Sequence, residues 1–256
     1  MRFETGLFLS FISHLISHSS YLSKMNWQSD IIKNLAWSDT ISNREAKERV
    51  AQKIAEKVKD GDVIGVGSGS TSFLALIAIA ERVKAEKLNV KGIATSIELS
   101  MACSKLGLPL TTLFEHRPDW LFDGADEVDP NRSLIKGRGG AMFKEKLMMA
   151  SSMKSYIIID ESKLVNKLCT KFPVPIEVFP QALLHVEERL VAIGARDISL
   201  RPAKGKDGPV ITENGNLILD AMFDEIPGNL ELNIKSITGV IESGLFMGFD
   251  VEVLMA

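Results

Sequence analysis

The chain has 256 residues, of which 45% are hydrophobic and 25% charged, and its formal net charge is -3. This composition is typical of a globular protein and excludes a disordered or fibrous chain. The slight negative charge, without a run of lysine or arginine, gives no attraction to nucleic acid. Cys103 and Cys169 stand far apart without a CxxC partner, which argues against a zinc site or a disulfide framework and favours reduced, cytoplasmic thiols.

Residues 1–41 are predicted to be an N-terminal extension that is poorly ordered. Residues 6–12 could be read as the apolar core of a signal peptide, but serines and histidines interrupt the stretch and no clear cleavage site follows. The stretch is also too short to span a bilayer, so no membrane partner is expected. Met25 is an alternative start, which the intact mass of the protein expressed from its native gene would test.

From residue 42 onward, helical and extended patterns alternate along the chain. This alternation predicts a Rossmann-like, doubly wound and mostly parallel sheet with helices on its faces. The predicted helices cover 42–60, 71–81, 98–106 and 141–151. The predicted strands cover 63–67, 92–95, 120–123 and 156–160.

A smaller α+β domain is predicted between residues 172 and 239. Its elements are a strand at 174–178, a helix at 181–193 and a hairpin around Asn214-Gly215-Asn216. The Asn-Gly pair favours a type I′ turn, which requires positive φ at both central residues. The fold class is therefore α/β, with a catalytic domain formed by 42–171 and 240–256 and a second, smaller domain formed by 172–239.

A glycine-rich loop, Gly65-Val66-Gly67-Ser68-Gly69-Ser70-Thr71, joins a predicted strand to a predicted helix. Backbone amides and a helix N-terminus at such a loop can bind phosphate, and the hydroxyls add further donors. The loop lacks a glycine at Ser70, which the dinucleotide fingerprint requires, and it lacks the Gly-Lys of a Walker A loop. A tight turn without a ligand is the alternative.

Several carboxylates follow the strand 120–123, in the segment Asp123-Gly124-Ala125-Asp126-Glu127-Val128-Asp129. The carboxyl ends of parallel strands are where open α/β sheets bind ligands. An acidic solvated turn and a metal site are the rival interpretations. The absence of a nearby histidine and the proximity of Lys136 favour hydrogen bonding to sugar hydroxyls over chelation.

A second glycine cluster, at Gly137, Gly139 and Gly140, leads into the helix that carries Glu145. A partly buried carboxylate in its first turn can move a proton between adjacent carbons, while Lys136 stabilises the developing enediolate. Glutamate is also favoured at helix starts by the macrodipole, so surface charge is the alternative. Lys163, in Asp160-Glu161-Ser162-Lys163, follows the next strand, so all four segments fall on one predicted rim.

Four of these segments together resemble the ribose-5-phosphate isomerase type A family: GVGSGST (65–71), DGADEVD (123–129), KGRGGAMFKEK (136–146) and DESK (160–163). The similarity runs from about residue 42 to 252. It implies a sugar-phosphate substrate, no metal, no cofactor, and a homodimer or homotetramer. Three departures are the extension, Arg138 in place of the glycine of many members, and the loop Thr95-Ser96-Ile97-Glu98.

The resemblance also implies roles for individual residues. Glu145 would transfer the proton from carbon 2 to carbon 1 through a cis-enediolate, and Asp123 would assist ring opening. Asp126 and Lys136 would bind and polarise the reacting oxygens. The residues implied in substrate binding are Ser68, Gly69, Ser70, Thr71, Asp123, Gly124, Ala125, Asp126, Lys136, Gly137, Arg138, Gly139, Lys163 and, from the first helix, Lys47.

Two other functions remain open at this point. A non-catalytic sugar-phosphate sensor would bind without turnover, but no DNA-binding helix pair is attached and the three carboxylates are retained. An acyl-group or CoA transferase, suggested by fold alone, would need a carboxylate nucleophile that forms a thioester.

Overall fold

The computed structural model describes residue 32 and residues 41–255. The predicted extension and the alternative start at Met25 lie outside these residues, apart from Ile32 and Ile41. No helix in the described part is long and apolar enough to cross a membrane.

A five-stranded parallel sheet forms the larger part of the fold, in the order β12-β6-β3-β1-β2. Four of its strands, and the four helices that pack against it, follow the predicted alternation. The helices are α1 (Arg44–Ala55), α2 (Ser70–Glu86), α3 (Ile97–Leu106) and α4 (Met142–Ser151). The strands are β1 (Val63–Val66), β2 (Lys91–Ala94), β3 (Trp120–Asp123), β6 (Ser155–Ile159) and β12 (Val251–Met255).

Side chains alternate between the two faces of this sheet, as the pleat requires. Ile64 and Phe122 pack into one buried cluster with residues of α1, α2 and α3. Leu121 and Ile157 pack into another cluster with Met148 of α4. The sheet is thus covered on both faces, which explains why its strands are continuous apolar runs and confirms the predicted doubly wound α/β class.

The chain reverses its direction of winding between β1 and β3. From β1 it proceeds to β2 on one side, and then returns so that β3 pairs with the other side of β1. In open α/β sheets this switch point leaves a crevice at the carboxyl ends of the two strands, where ligands bind. The loop after β1 and the acidic segment after β3 both begin at this crevice.

A separate antiparallel sheet has the order β10-β7-β9-β8 and carries a third apolar cluster. Its elements are β7 (Val174–Val178), α5 (Leu183–Ala192), β8 (Ala195–Leu200), β9 (Leu217–Phe223), α6 (Leu230–Lys235) and β10 (Val240–Ser243). Strand β10 lies beyond residue 239, so this sheet extends past the predicted end of the smaller domain. The division into two domains stays a prediction.

The hairpin prediction needs correction. Strands β8 and β9 do pair, but residues 201–216 join them, and the Asn-Gly pair lies at the end of that connection. The amide of Gly215 donates to the carbonyl of Thr212 at 2.9 Å. Gly215 has a φ of 79°, whereas the φ of Asn214 is not positive. The turn is therefore not type I′, because that type needs positive φ at both central residues.

Three very short strands form a third sheet that the sequence analysis did not predict. They are β4 (Glu127–Val128), β5 (Leu134–Ile135) and β11 (Leu245–Phe246). This sheet fixes the acidic segment after β3 and leads directly into Lys136, which follows β5.

Candidate active site

The floor of the crevice is set by close contact between the glycine loop and Asp123. Asp123 ends β3, is fully buried, and accepts a hydrogen bond from the amide of Gly124 at 2.7 Å. A Cβ atom at Gly67 would overlap the carboxyl group of Asp123. Glycine at this position is therefore required so that β1 and β3 can bring the loop and the carboxylate together.

Lys136 lies at the centre of the site and is 3% exposed. Its Nζ lies 2.9 Å from Oδ2 of Asp123 and 3.5 Å from Oε2 of Glu145, and it donates to the carbonyl of Gly124 at 2.5 Å. One cation thus lies between two carboxylates in a buried setting. A buried ammonium group so paired is fixed in position and remains charged.

Glu145 lies in the first turn of α4 and is 5% exposed, which rules out the surface-charge alternative. Its Oε2 is buried, and apart from the ion pair with Lys136 at 3.5 Å it has no hydrogen-bond donor within the described part of the chain. A buried carboxylate oxygen without a donor is costly unless a ligand uses it. This oxygen is therefore a candidate proton acceptor.

The three charges shift one another's pKa values. Burial raises the pKa of Glu145 to about 8, and the negative charge of Asp123 adds to the effect. Burial also raises the pKa of Asp123, although Lys136 works against it. Burial alone would lower the pKa of Lys136, but the carboxylates outweigh it and raise that pKa. A base whose pKa lies near neutrality is suited to proton transfer in both directions.

Two more cations, Lys47 and Lys163, line the crevice together with the helix N-terminus of α2. Nζ of Lys47 lies 3.1 Å from the hydroxyl of Ser70 and 3.4 Å from that of Ser42. Burial lowers the pKa of Lys47. The negative charge of Asp160 opposes this shift, and the positive charge of Lys163 adds to it. Two lysines facing a helix N-terminus form an environment that favours a phosphate group.

Arg138 contacts an aromatic ring beside Lys163. The guanidinium carbon of Arg138 and Nζ of Lys163 lie 5.0 and 5.5 Å from the centre of the Phe172 ring. The amide of Arg138 donates to Oδ2 of Asp126 at 3.2 Å. Arg138 is therefore tied to the site by its backbone, while its side chain stacks on Phe172 beside Lys163.

Glu127 belongs to the acidic segment but has a structural role. It is fully buried, and its carboxylate accepts hydrogen bonds from the amides of Cys169, Lys171 and Phe172 at 2.5–2.8 Å. Its acceptor capacity is thus directed away from the crevice, and it holds the segment 169–172 against β4.

The structure brings the predicted residues together around one cleft of about 210 Å³. Asp123 lies beneath this cleft and forms an ion pair with Lys136. The predicted residues that line it are Lys47, Ser68, Gly69, Ser70, Thr71, Gly124, Ala125, Asp126, Lys136, Gly137, Arg138, Gly139, Glu145 and Lys163. In the described part of the chain no cluster of histidine, cysteine and carboxylate side chains is arranged to hold a metal ion.

Sequence analysis missed two residues at the site. Ser42 lines the cleft beside Lys47, and its position just before α1 carries no motif that could have identified it. Thr95, which follows β2, is buried and lies 2.8 Å from the hydroxyl of Ser68. The sheet order, in which β2 neighbours β1, is the signal that could have found Thr95.

Comparisons with known proteins show the family of the chain. The family model described as ribose 5-phosphate isomerase A (phosphoriboisomerase A) matches residues 91–256. A ribose-5-phosphate isomerase A from Methanothermobacter thermautotrophicus is 43% identical over 204 residues, which cover 79% of this chain and 89% of the relative.

Two solved structures have the same fold. A ribose 5-phosphate isomerase A from Methanocaldococcus jannaschii has a TM-score of 0.80 at 42% identity. The match covers 83% of this chain and 95% of that structure's chain. A D-ribose-5-phosphate isomerase in complex with phospho-erythronic acid has a TM-score of 0.79 at 39% identity. That match covers 82% of this chain and 94% of the other. The chain therefore belongs to the ribose-5-phosphate isomerase A family.

Proposed function

We propose that the chain interconverts D-ribose 5-phosphate and D-ribulose 5-phosphate by proton transfer through Glu145. The family to which the chain belongs is one of aldose-ketose isomerases. The observation that carries the mechanism is the buried group of Glu145, Lys136 and Asp123 at a cleft that the cations Lys47 and Lys163 also line. A sugar phosphate matches both features of this cleft.

In the proposed reaction the phosphate lies between α2 and the lysines Lys47 and Lys163. Asp123 assists opening of the furanose ring, and Glu145 then removes the proton from carbon 2. The resulting cis-enediolate places negative charge on the oxygens beside Lys136, which stabilises it together with backbone amides of the second glycine cluster. Glu145 returns the same proton to carbon 1, so the reaction needs no redox step.

The remaining predicted residues would bind the sugar. Asp126 accepts from the amide of Arg138, so its carboxylate is held at the edge of the cleft, where sugar hydroxyls can donate to its free lone pairs. A solved relative is in complex with phospho-erythronic acid, and a ligand of that size and charge is what the cleft of this chain favours.

Conversion of ribose 5-phosphate by the purified, EDTA-treated protein tests this function. We expect metal-free turnover, followed as formation of ribulose 5-phosphate. Ligand binding without turnover would instead support a sugar-phosphate sensor, the runner-up interpretation. Formation of a thioester from labelled CoA would support the transferase interpretation.

The activity should depend on pH through Glu145. Because only the ionised carboxylate can accept the proton and its pKa is about 8, kcat/KM should rise as pH increases from 6 towards 8 and then level off. A pH-rate profile with ribose 5-phosphate measures this, and Glu145→Asp should move the inflection. A profile that stays flat between pH 6 and 9 would contradict the shifted pKa.

We further propose a homodimer or homotetramer in the cytoplasm. Leu184 of α5 and Leu232 of α6 are 77% and 71% exposed, and both belong to the antiparallel unit. If these side chains form one contiguous patch, that patch is a candidate surface for a partner subunit. Both cysteines are free, which suits a reducing compartment.

A further inference from the structure

Arg201 connects the antiparallel sheet to the second glycine cluster. It follows β8 directly, and its Nη1 donates to the carbonyl oxygens of Gly137 and Arg138, each at 2.9 Å. Its Nε donates to Oδ2 of Asp220 at 2.8 Å, and its Nη2 donates to the other carboxylate oxygen. Asp220 lies on β9, so the guanidinium group is anchored before it reaches the loop.

This contact is mostly shielded from water. The side chains of Arg201 and Asp220 are 14% and 15% exposed. A bidentate arginine-carboxylate pair with low exposure is held in one geometry, unlike a mobile surface ion pair. The carbonyls of Gly137 and Arg138 are therefore held by a rigid donor, the guanidinium group of Arg201.

The loop that Arg201 holds carries groups that face the cleft. The carbonyl of Gly137 and the amide of Arg138 belong to the same peptide unit, and that amide donates to Asp126. The peptide unit is planar, so fixing its oxygen also fixes its N–H group. A positive charge at the oxygen end polarises the unit and strengthens the donor on the other side.

The glycines give this loop more conformational freedom than other residues would. Gly137 and Gly140 have φ values of 96° and 83°, a region that glycine enters without cost but does not prefer over others. Lys136 immediately precedes these residues. An external contact is thus needed to select one loop conformation, and Arg201 makes that contact from a different sheet.

We propose that Arg201 is a positioning residue for the isomerase reaction, with Asp220 orienting it. Arg201 does not contact the substrate in this proposal. It holds residues 137 and 138 so that the Arg138 amide and Asp126 keep their places beside Lys136. The proposal rests on the function proposed above, because it concerns the same reaction and the same loop.

The test is steady-state kinetics of Arg201→Ala with ribose 5-phosphate, at a temperature where circular dichroism shows the variant to be folded. Small displacements of catalytic groups are costly, so we expect kcat to fall about 10- to 100-fold. Arg201→Lys should recover only part of the rate, since one ammonium group cannot reproduce the planar set of donors. Added guanidinium at low millimolar concentration should raise the rate of Arg201→Ala, whereas methylammonium should not.

The matched control is Arg196→Ala. Arg196 lies on β8 and pairs with Asp224, just after β9, at 3.0 Å, and it makes no hydrogen bond to residues 136–140 in the described structure. The kcat of the Arg196→Ala variant should stay within twofold of that of the unmodified protein. A kcat within twofold for folded Arg201→Ala, or an equal loss in Arg196→Ala, would overturn the proposal.

Two further outcomes are distinguishable. If Arg201→Ala does not fold, Arg201→Lys and Asp220→Asn decide the question, and normal kcat in both would reject the positioning role. If the unmodified protein itself fails to convert ribose 5-phosphate, the proposed function is wrong. Turnover by the unmodified protein with no effect of the Arg201 variants would reject this inference alone.

Discussion

Replacing Glu145 by glutamine is expected to lower kcat by a factor of about 10²–10⁴ while leaving sugar-phosphate binding nearly intact. Glutamine fills the same buried space but cannot accept the proton from carbon 2. Lys136 keeps its 2.9 Å ion pair with Asp123, so no buried cation is left unpaired in the variant. Turnover measured with ribose 5-phosphate, and binding measured by calorimetry, separate the two effects.

Stability gives a second readout for the same variant. The pKa of Glu145 is raised in the folded state, so this group destabilises the protein as pH rises from about 4.5 to about 8. Glutamine has no such titration, and the variant should be at least as stable as the unmodified protein above pH 8. Glu98→Gln is the matched control, because Glu98 also lies in a first helical turn but is exposed. Near-normal turnover in Glu145→Gln would refute the base assignment.

Replacing Lys136 by alanine should lower kcat by about 10²–10³, with a smaller effect on phosphate affinity. Lys136 lies beside both carboxylates, where the enediolate oxygens would carry charge, and is not one of the residues proposed to bind the phosphate. Its loss should therefore act mainly on the transition state. Comparing kcat with the affinity for inorganic phosphate measures this difference.

Lys163→Ala is the control for that experiment, because Lys163 is proposed to bind the phosphate. It should raise KM more than it lowers kcat. The Lys136 variant should also be less stable by roughly 3 kcal/mol at neutral pH, because the buried carboxylate of Asp123 loses its counterion. Thermal unfolding would show this loss, and an effect of Lys136→Ala confined to affinity would contradict its proposed role.

Much of the site could be predicted because its parts follow strands of one parallel sheet. Gly67 follows β1, Asp123 ends β3 and Lys163 follows β6, so the repeated alternation alone places them on one rim. The buried state of Glu145 could not be predicted from its position in a first helical turn, where the macrodipole also favours surface glutamates.

Other features depend on contacts between distant parts of the chain. Glu127 differs little in sequence context from Asp126, yet it binds the backbone of 169–172. The two-residue strands β4, β5 and β11 are too short for any periodic pattern. Arg201 reaches the glycine cluster across 63 residues of sequence, and no local motif marks it.

The order of strands in the large sheet has a consequence for biosynthesis. Strand β12 pairs in parallel with β6 along its whole length, and residues 160–250 lie between the two. While the ribosome is still making the antiparallel sheet, β6 therefore has an unpaired, apolar edge. Nascent chains with such an edge are prone to aggregate, and closing a long connection slows the final pairing. Chaperone binding to β6 during translation would be most useful in that interval.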